Sequence, residues 1–335
     1  MSLEEHSSPQ PKSLASPRKY SEDNLGGLRK LNPEFFESYR EIDSSMEFLE
    51  YMMKPLRQSI RLNTLKVSIT DMVENLSNGF VLEPVPWCRE GFFVYPKKTN
   101  TEVRITNTIE YQLGLIFSQE ASSMIPPVVL NGEPGQFVLD MAAAPGSKAT
   151  HIGMYMKNRG CLIANDIKKN RLNILILNIQ RCGILNAWVT RKDGRFFKRF
   201  ENRFDRVLLD APCSNVGMIR KNFKHLKIWS RNRVESLSRL QKEMILAGYK
   251  ALKPSGIMVY STCTLEPSEN EEVIDYLISK TNAKVEEINL PVRKTKPFTR
   301  FDGKKFDEQV KKCLRIHPQD NDTEGFFVAK IIKED

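Results

Sequence analysis

Phe137-Val138-Leu139-Asp140-Met141-Ala142-Ala143-Ala144-Pro145-Gly146-Ser147-Lys148 passes from an apolar run, through small residues, to the start of an amphipathic segment. A short apolar run bounded by turn residues reads as a strand buried on both faces, the kind found in parallel sheets. The small residues that follow let backbone amides come close to a ligand just before a helix opens. Asp140 closes the strand.

The same rhythm recurs downstream. Strands are predicted at 137–140, 161–165, 187–190, 206–210 and 256–261, with helices at 147–157, 168–181, 231–252 and 268–280 between them. Two further strands are expected near 284–288 and at 326–331. Strands alternating with helices argue for an α/β, Rossmann-like parallel sheet. Upstream, a helical stretch carries Phe35, Phe36, Tyr39, Met46, Leu49 and Met52, and strand-like pieces follow at 59–63, 80–82 and 91–95. The expected organisation is a disordered tail at 1–26, rich in Ser, Pro, Lys and Glu, an α+β accessory domain at 27–115, and a catalytic domain at 116–335.

At 335 residues and 40% apolar content, the chain can hold one large or two medium domains with a real core. A formal net charge of +10 suggests an anionic partner. The six cysteines form no C-x-x-C pair and only four histidines accompany them, so no metal site is expected. Neither a signal peptide nor an apolar stretch of membrane-spanning length is present, which fits a cytoplasmic, reducing setting with free thiols and no membrane partner.

The loop at Ala142, Ala143, Ala144, Pro145, Gly146 and Ser147 is the first half of a cofactor site. Asp166 ends the second strand twenty residues past Gly146, where a carboxylate meets ribose hydroxyls, unless it caps the next helix. Asp193, just past the third strand, is a further candidate. Arg171, a turn beyond Asp166, either braces that carboxylate or makes a surface ion pair. Neither G-x-G-x-x-G nor a Walker loop is present, so among nucleoside cofactors S-adenosylmethionine is favoured over NAD.

Cys213 in Leu209-Asp210-Ala211-Pro212-Cys213-Ser214 and Cys263 in Tyr260-Ser261-Thr262-Cys263-Thr264 each follow an apolar run. If their strands neighbour one another, about 5 Å apart, both thiols face one crevice. Cys88, Cys161, Cys182 and Cys313 have no such setting and are assigned to structure. Ala143 to Lys148, Asp210 to Ser214, and Ser261 to Thr264 followed by Glu269-Asn270-Glu271 together resemble the RNA 5-methylcytosine methyltransferases of the Nol1/Nop2/Sun type. Arg61 to Lys66, Gln119 to Met124 and Glu324 to Lys330 add to the likeness, which covers roughly residues 30 to 332. Pro55 to Ser59 and Val85 to Gly91 look most like the archaeal tRNA members, whereas Arg220 to Trp229 match only loosely. No appended PUA or THUMP domain is recognised.

The resemblance implies S-adenosylmethionine as methyl donor, an N-terminal RNA-binding domain, Cys263 as nucleophile and Cys213 as the residue that assists product release. Carbon 5 of cytosine is a poor nucleophile, and a thiolate adding to carbon 6 makes it one by forming an enamine. A free thiol is only about 3% ionised at neutral pH, so the site is expected to favour the thiolate. Asp210 is expected to hydrogen-bond the cytosine ring. Lys148 is placed either near the cofactor carboxylate and catalytic loop or as a solvated first-turn residue. Asn270 and Glu271 are expected to hold the Cys263 loop.

Basic residues interleave with aromatics at 195–200, 220–229 and 294–305, suited to phosphate contacts and base stacking. Arg61 and Asn63 either touch RNA or brace the catalytic domain. The expected partner is tRNA, with ribosomal RNA second, and the chain is expected to act as a monomer on an unpaired or flipped base. A DNA methyltransferase using Cys213 is disfavoured by the second thiol. An amino-directed enzyme typically needs an Asn/Asp-Pro-Pro-aromatic turn, whose place Asp210-Ala211-Pro212-Cys213 occupies here, and a non-catalytic RNA-binding or assembly factor would not need both cysteines.

Overall fold

The computed structural model describes residues 30–97 and 105–334; the expected tail at 1–26 lies outside them. Two short helices, Pro33–Tyr39 and Met46–Met53, begin at side-chain caps, where Asn32 accepts from the Phe35 amide and Ser45 from the Phe48 amide. They do not form a separate unit. Phe35, Tyr39, Phe48 and Met52 pack into one cluster with Val216, Ile219, Leu226 and Trp229 from the segment after Cys213.

Four strands then make an antiparallel sheet of order β2-β3-β1-β4: β1 Ser59–Leu62, β2 Phe80–Pro84, β3 Gly91–Pro96 and β4 Ile116–Ser118. β4 lies beyond the boundary expected at residue 115. Three residues show no period of their own, and only pairing with β1 reveals the strand.

The second sheet has the order β10-β14-β9-β8-β5-β6-β7, with β13 paired to β14. Its parallel part comprises β5 Phe137–Asp140, β6 Cys161–Asn165, β7 Ala187–Thr190, β8 Phe204–Asp210 and β9 Leu252–Thr262. After a two-residue ribbon, β11 Arg300–Phe301 with β12 Lys304–Lys305, β13 Leu314–Ile316 joins the sheet. β10 Ala283–Glu286 and β13 both run antiparallel to β14 Phe326–Lys333, which is antiparallel to β9. The sheet is therefore mixed at this edge. Helices Ser147–Tyr155, Lys169–Cys182, Arg231–Ala251 and Glu271–Lys280 connect the strands.

The long helix Arg231–Ala251 buries Ser238 and Gln241 along with Val234, Met244 and Ile245. These polar residues face inward because they serve loops: Ser238 donates to the Ser268 carbonyl, and Gln241 to the Pro212 carbonyl and Glu269. A buried polar group needs such partners.

Arg61 and Asn63 tie the first sheet to the helices Ser147–Tyr155 and Lys169–Cys182. The fully buried Arg61 guanidinium donates to Gln119 Oε1, to the Ser147 carbonyl (2.8 Å) and to Thr150 Oγ1 (3.0 Å). Asn63 Nδ2 donates to the Gly114 and Cys182 carbonyls, each at 2.8 Å. Of the two readings for this pair, bracing is the one realised. Beside them His151 Nε2 meets Glu90 Oε1 at 2.7 Å, and Cys88 completes a buried trio whose ligand-type atoms lie within 4.8 Å of one another. Burial and the Arg61 charge push His151 down to about 4, so a neutral imidazole donates to the Glu90 carboxylate. Among the described residues no helix is long and apolar enough to cross a membrane.

Candidate functional site

β8 and β9 are parallel neighbours in a register that sets Asp210 opposite Ser261. The loops leaving them bring Cys213 and Cys263 together, with Sγ atoms 3.4 Å apart. Asn215, in the left-handed region at φ 61°, presents its side-chain oxygen to both thiols, 3.1 Å from Cys263 Sγ and 3.5 Å from Cys213 Sγ. Asn tolerates that backbone conformation better than most residues. Cys213 is buried and Cys263 half-buried.

The Cys263 thiol is pushed well above its ordinary value, first by its hydrogen bond with Cys213, then by burial and by the Cys213, Asp210 and Glu324 charges. That direction is opposite to the thiolate stabilisation expected at Cys263. The thiol-bearing turns are fixed from below. Glu269 accepts from the Ser214 amide at 3.0 Å, and Thr262 Oγ1 donates to Asn270 Oδ1 at 2.6 Å. Asn270 Nδ2 in turn donates to the Thr264 carbonyl. Glu271 forms a fully buried two-point pair with Arg315 (2.7 and 2.8 Å), and Arg315 also donates to the Leu265 carbonyl. Asn270 and Glu271 thus do hold this loop.

Asp210 Oδ2 pairs with Lys148 Nζ at 2.8 Å and its Oδ1 accepts from Ser261 Oγ at 2.8 Å. Lys148 is buried rather than solvated, its ammonium 5.4 Å from the Phe326 ring centroid. Asp210, Lys148, Cys213 and Cys263 therefore form one contiguous constellation.

Beside it, Met141 to Gly146 link β5 to the helix Ser147–Tyr155. Gly146 has φ +111°, and a Cβ there would meet Leu175 Cδ1 at 3.0 Å, so glycine is required. Arg171 donates to the Ala144 carbonyl and lies 3.3 Å from Asp166 Oδ2, while Asn178 Nδ2 donates to the Pro145 carbonyl. Asp166 is buried and also accepts from the Lys168 amide (2.9 Å). It is braced by Arg171, as one of the two expectations had it. Asp193 caps the short helix at Gly194–Arg199 and is held at two points by Arg195.

Three residues not foreseen as part of the site emerge. Asp140 Oδ2 is buried without a hydrogen-bond partner among the described residues. Burial, then the Asp210 charge, push its carboxyl up to about 8. The strand-end argument that selects Asp166 applies equally to Asp140. Asn215 gave no sequence signal, and Glu324 entered only as the first residue of the 324–330 motif with no role assigned, because the setting of each comes from contacts across the chain.

The basic and aromatic stretches divide. Arg220 is buried, donating to the Lys54, Pro55 and Thr323 carbonyls and to Asp322, and Trp229 donates to Glu266. Lys221, Phe223, Lys224 and Lys227 remain exposed beside them.

The family model described as 16S rRNA methyltransferase RsmB/F matches residues 127–332, and that of the N-terminal domain of 16S rRNA methyltransferase RsmF matches residues 31–121. The tRNA (cytosine(49)-C(5))-methyltransferase of Pyrococcus abyssi is 55% identical over 307 residues, spanning 91% of this chain and 97% of that protein. Ribosomal RNA small subunit methyltransferase F of Vibrio atlanticus is 45% identical over 290 residues, covering 85% of this chain but 59% of its own length. A crystal structure of a methyltransferase homologue from Pyrococcus horikoshii, 37% identical, superposes with a TM-score of 0.80 over 93% of this chain and 99% of its own.

Proposed function

This chain belongs to the RsmB/F family of methyltransferases, and from that membership we propose that it methylates carbon 5 of a cytosine in tRNA through a covalent Cys263 adduct. The observation that carries the reading is the pair of thiols 3.4 Å apart beside the Asp210–Lys148 ion pair. tRNA is favoured over ribosomal RNA because the tRNA-directed relative matches along nearly its whole length, whereas the chain spans about 60% of the ribosomal enzymes.

The residues present fit S-adenosylmethionine. The Met141 to Gly146 loop offers close backbone approach, Asp166 offers a carboxylate at the end of β6, and the orphaned Asp140 Oδ2 offers an acceptor for an amino group. When bound, S-adenosylmethionine supplies an electrophilic methyl group.

Cys263 Sγ bonds to carbon 6 of the cytosine, and its proton passes by way of Asp210 to ring nitrogen 3, leaving a neutral enamine with nucleophilic carbon 5. Lys148 keeps the Asp210 carboxylate oriented toward the base edge. Once carbon 5 is methylated, Cys213, having given its own proton to solvent, acts as a thiolate and removes the carbon 5 proton. That C–H pair restores the ring double bond, the C–S pair returns to Cys263, and the nitrogen 3 proton leaves through Asp210.

The test is incubation with methyl-labelled S-adenosylmethionine and small RNA, followed by nucleoside mass spectrometry. 5-Methylcytidine in tRNA that vanishes in Cys263→Ala, with an RNA adduct persisting on denaturing gels in Cys213→Ala, supports the reading. Undiminished product from Cys263→Ala overturns the adduct, and product confined to ribosomal RNA overturns the substrate.

A further inference from the structure

Glu324 is a carboxylic acid inside the protein that the scheme above does not use. It is 3% exposed, and its Oε1 is buried with no hydrogen-bond partner among the described residues. Its surroundings belong to the thiol site. The next residue, Gly325, donates to the Gly217 carbonyl, and the Gly217 amide donates to the Cys263 carbonyl, so Glu324 is tied through two backbone contacts to the nucleophile's turn. Two residues ahead lies Phe326, whose ring sits 5.4 Å from Lys148 Nζ. Glu324 is also near enough to Cys263 to push up its thiol.

We propose that Glu324 is a further residue of the methyl-transfer site, a neutral acid that donates a hydrogen bond to the carbonyl oxygen of the target cytosine as Cys263 adds to carbon 6. The inference rests on the reaction given under Proposed function. Addition of the thiolate pushes electron density toward ring nitrogen 3 and the carbonyl oxygen. Asp210 is assigned to the nitrogen and amine edge, which leaves the carbonyl needing a donor. A carboxyl group can donate only while protonated. Burial first, and Glu120 in the loop after β4 second, raise Glu324 to about 8, against Lys221 and Arg220 after Cys213 and Lys148 on the cofactor-loop helix. It therefore carries a proton at neutral pH, the arrangement by which apolar sites turn acids into donors.

The experiment compares wild type, Glu324→Gln and Glu324→Ala by methyl transfer to tRNA across pH 6 to 9.5, with thermal melts of each protein. An amide keeps a donor but does not titrate. Ala is expected to lose roughly 10²-fold in kcat/KM, the scale of one transition-state donor, and Gln to recover most of that loss. The wild-type fall in rate near pH 8 should be absent from Gln. Gln as impaired as Ala at an unchanged melting temperature, or a Gln profile that still falls near pH 8, overturns the proposal. Should wild type make no 5-methylcytidine in any RNA, the reaction itself fails and this role with it. Should Ala not fold, the Gln profile alone decides.

Discussion

A thiol that stays protonated at rest reacts slowly with electrophiles, because the thiolate is the attacking form. With Cys213 as its partner and burial behind it, Cys263 is expected to be alkylated by iodoacetamide at pH 7.5 several-fold more slowly than a free cysteine, as read by peptide mass spectrometry. Labelling as fast as the free amino acid would contradict the resting state described. Asp140 gives a second residue-scale test. Its carboxyl sits near 8 through burial and the Asp210 charge, so at pH 8 it is partly ionised in an apolar place. Asp140→Asn can keep the Ala142 amide contact while removing the charge. It is expected to raise the melting temperature at pH 8 and weaken S-adenosylmethionine binding at least ~10-fold by calorimetry, a trade of function against stability. The sequence exposed Cys213, Cys263, Asp210 and Lys148 because each sits in a recognisable turn. It did not expose Asn215, the buried setting of Glu324 or the upward push on the Cys263 thiol, since burial and neighbouring charge arise only when distant segments meet.

The elements that were legible are those with long apolar runs. β5, β6, β8 and β9 carry enough buried apolar residues to be read directly, β7 was placed by the strand–helix rhythm although none of its residues is buried, and the ends of all five fell within a few residues of expectation. β4 and β13, at three residues each, exist because β1 and β14 offer them ladder partners, so no local pattern announces them. The antiparallel edge was equally hidden, since strand direction depends on which neighbour a strand finds. At this scale the Glu271–Arg315 pair ties the start of the helix Glu271–Lys280 to β13 and to the Leu265 carbonyl. Arg315→Ala leaves a buried carboxylate alone and is expected to cost about 3–5 kcal/mol in urea unfolding, whereas replacing both partners by apolar residues of similar volume should recover most of that. Equal losses in the single and double variants would show that the helix is anchored elsewhere.

Across the whole molecule, Asp140 and Glu324 at about 8 and Glu269 at about 7 share a sign. Burial is the first cause for each. Their folded values lie above the roughly 4 of the unfolded chain, so their stabilising contribution is complete below about pH 4 and is lost as pH rises toward 8. The unfolding midpoint of the protein alone is therefore expected to decline from pH 5.5 to 8.5, and Glu324→Gln with Asp140→Asn should flatten the decline; a midpoint that climbs over this range would refute the assignment. One architectural feature reaches further. Arg61 and Asn63 tie the first sheet to the helices Ser147–Tyr155 and Lys169–Cys182 by buried hydrogen bonds, and Arg220 fastens the segment after Cys213 to the backbone at Lys54 and Pro55. Among the described residues these ties hold the N-terminal segments against the larger sheet's helices and loops and resist their opening around a folded nucleic acid. The distortion needed to bring a stacked cytosine to recessed sulfur then falls on the RNA, which favours targets whose base is already loosely held.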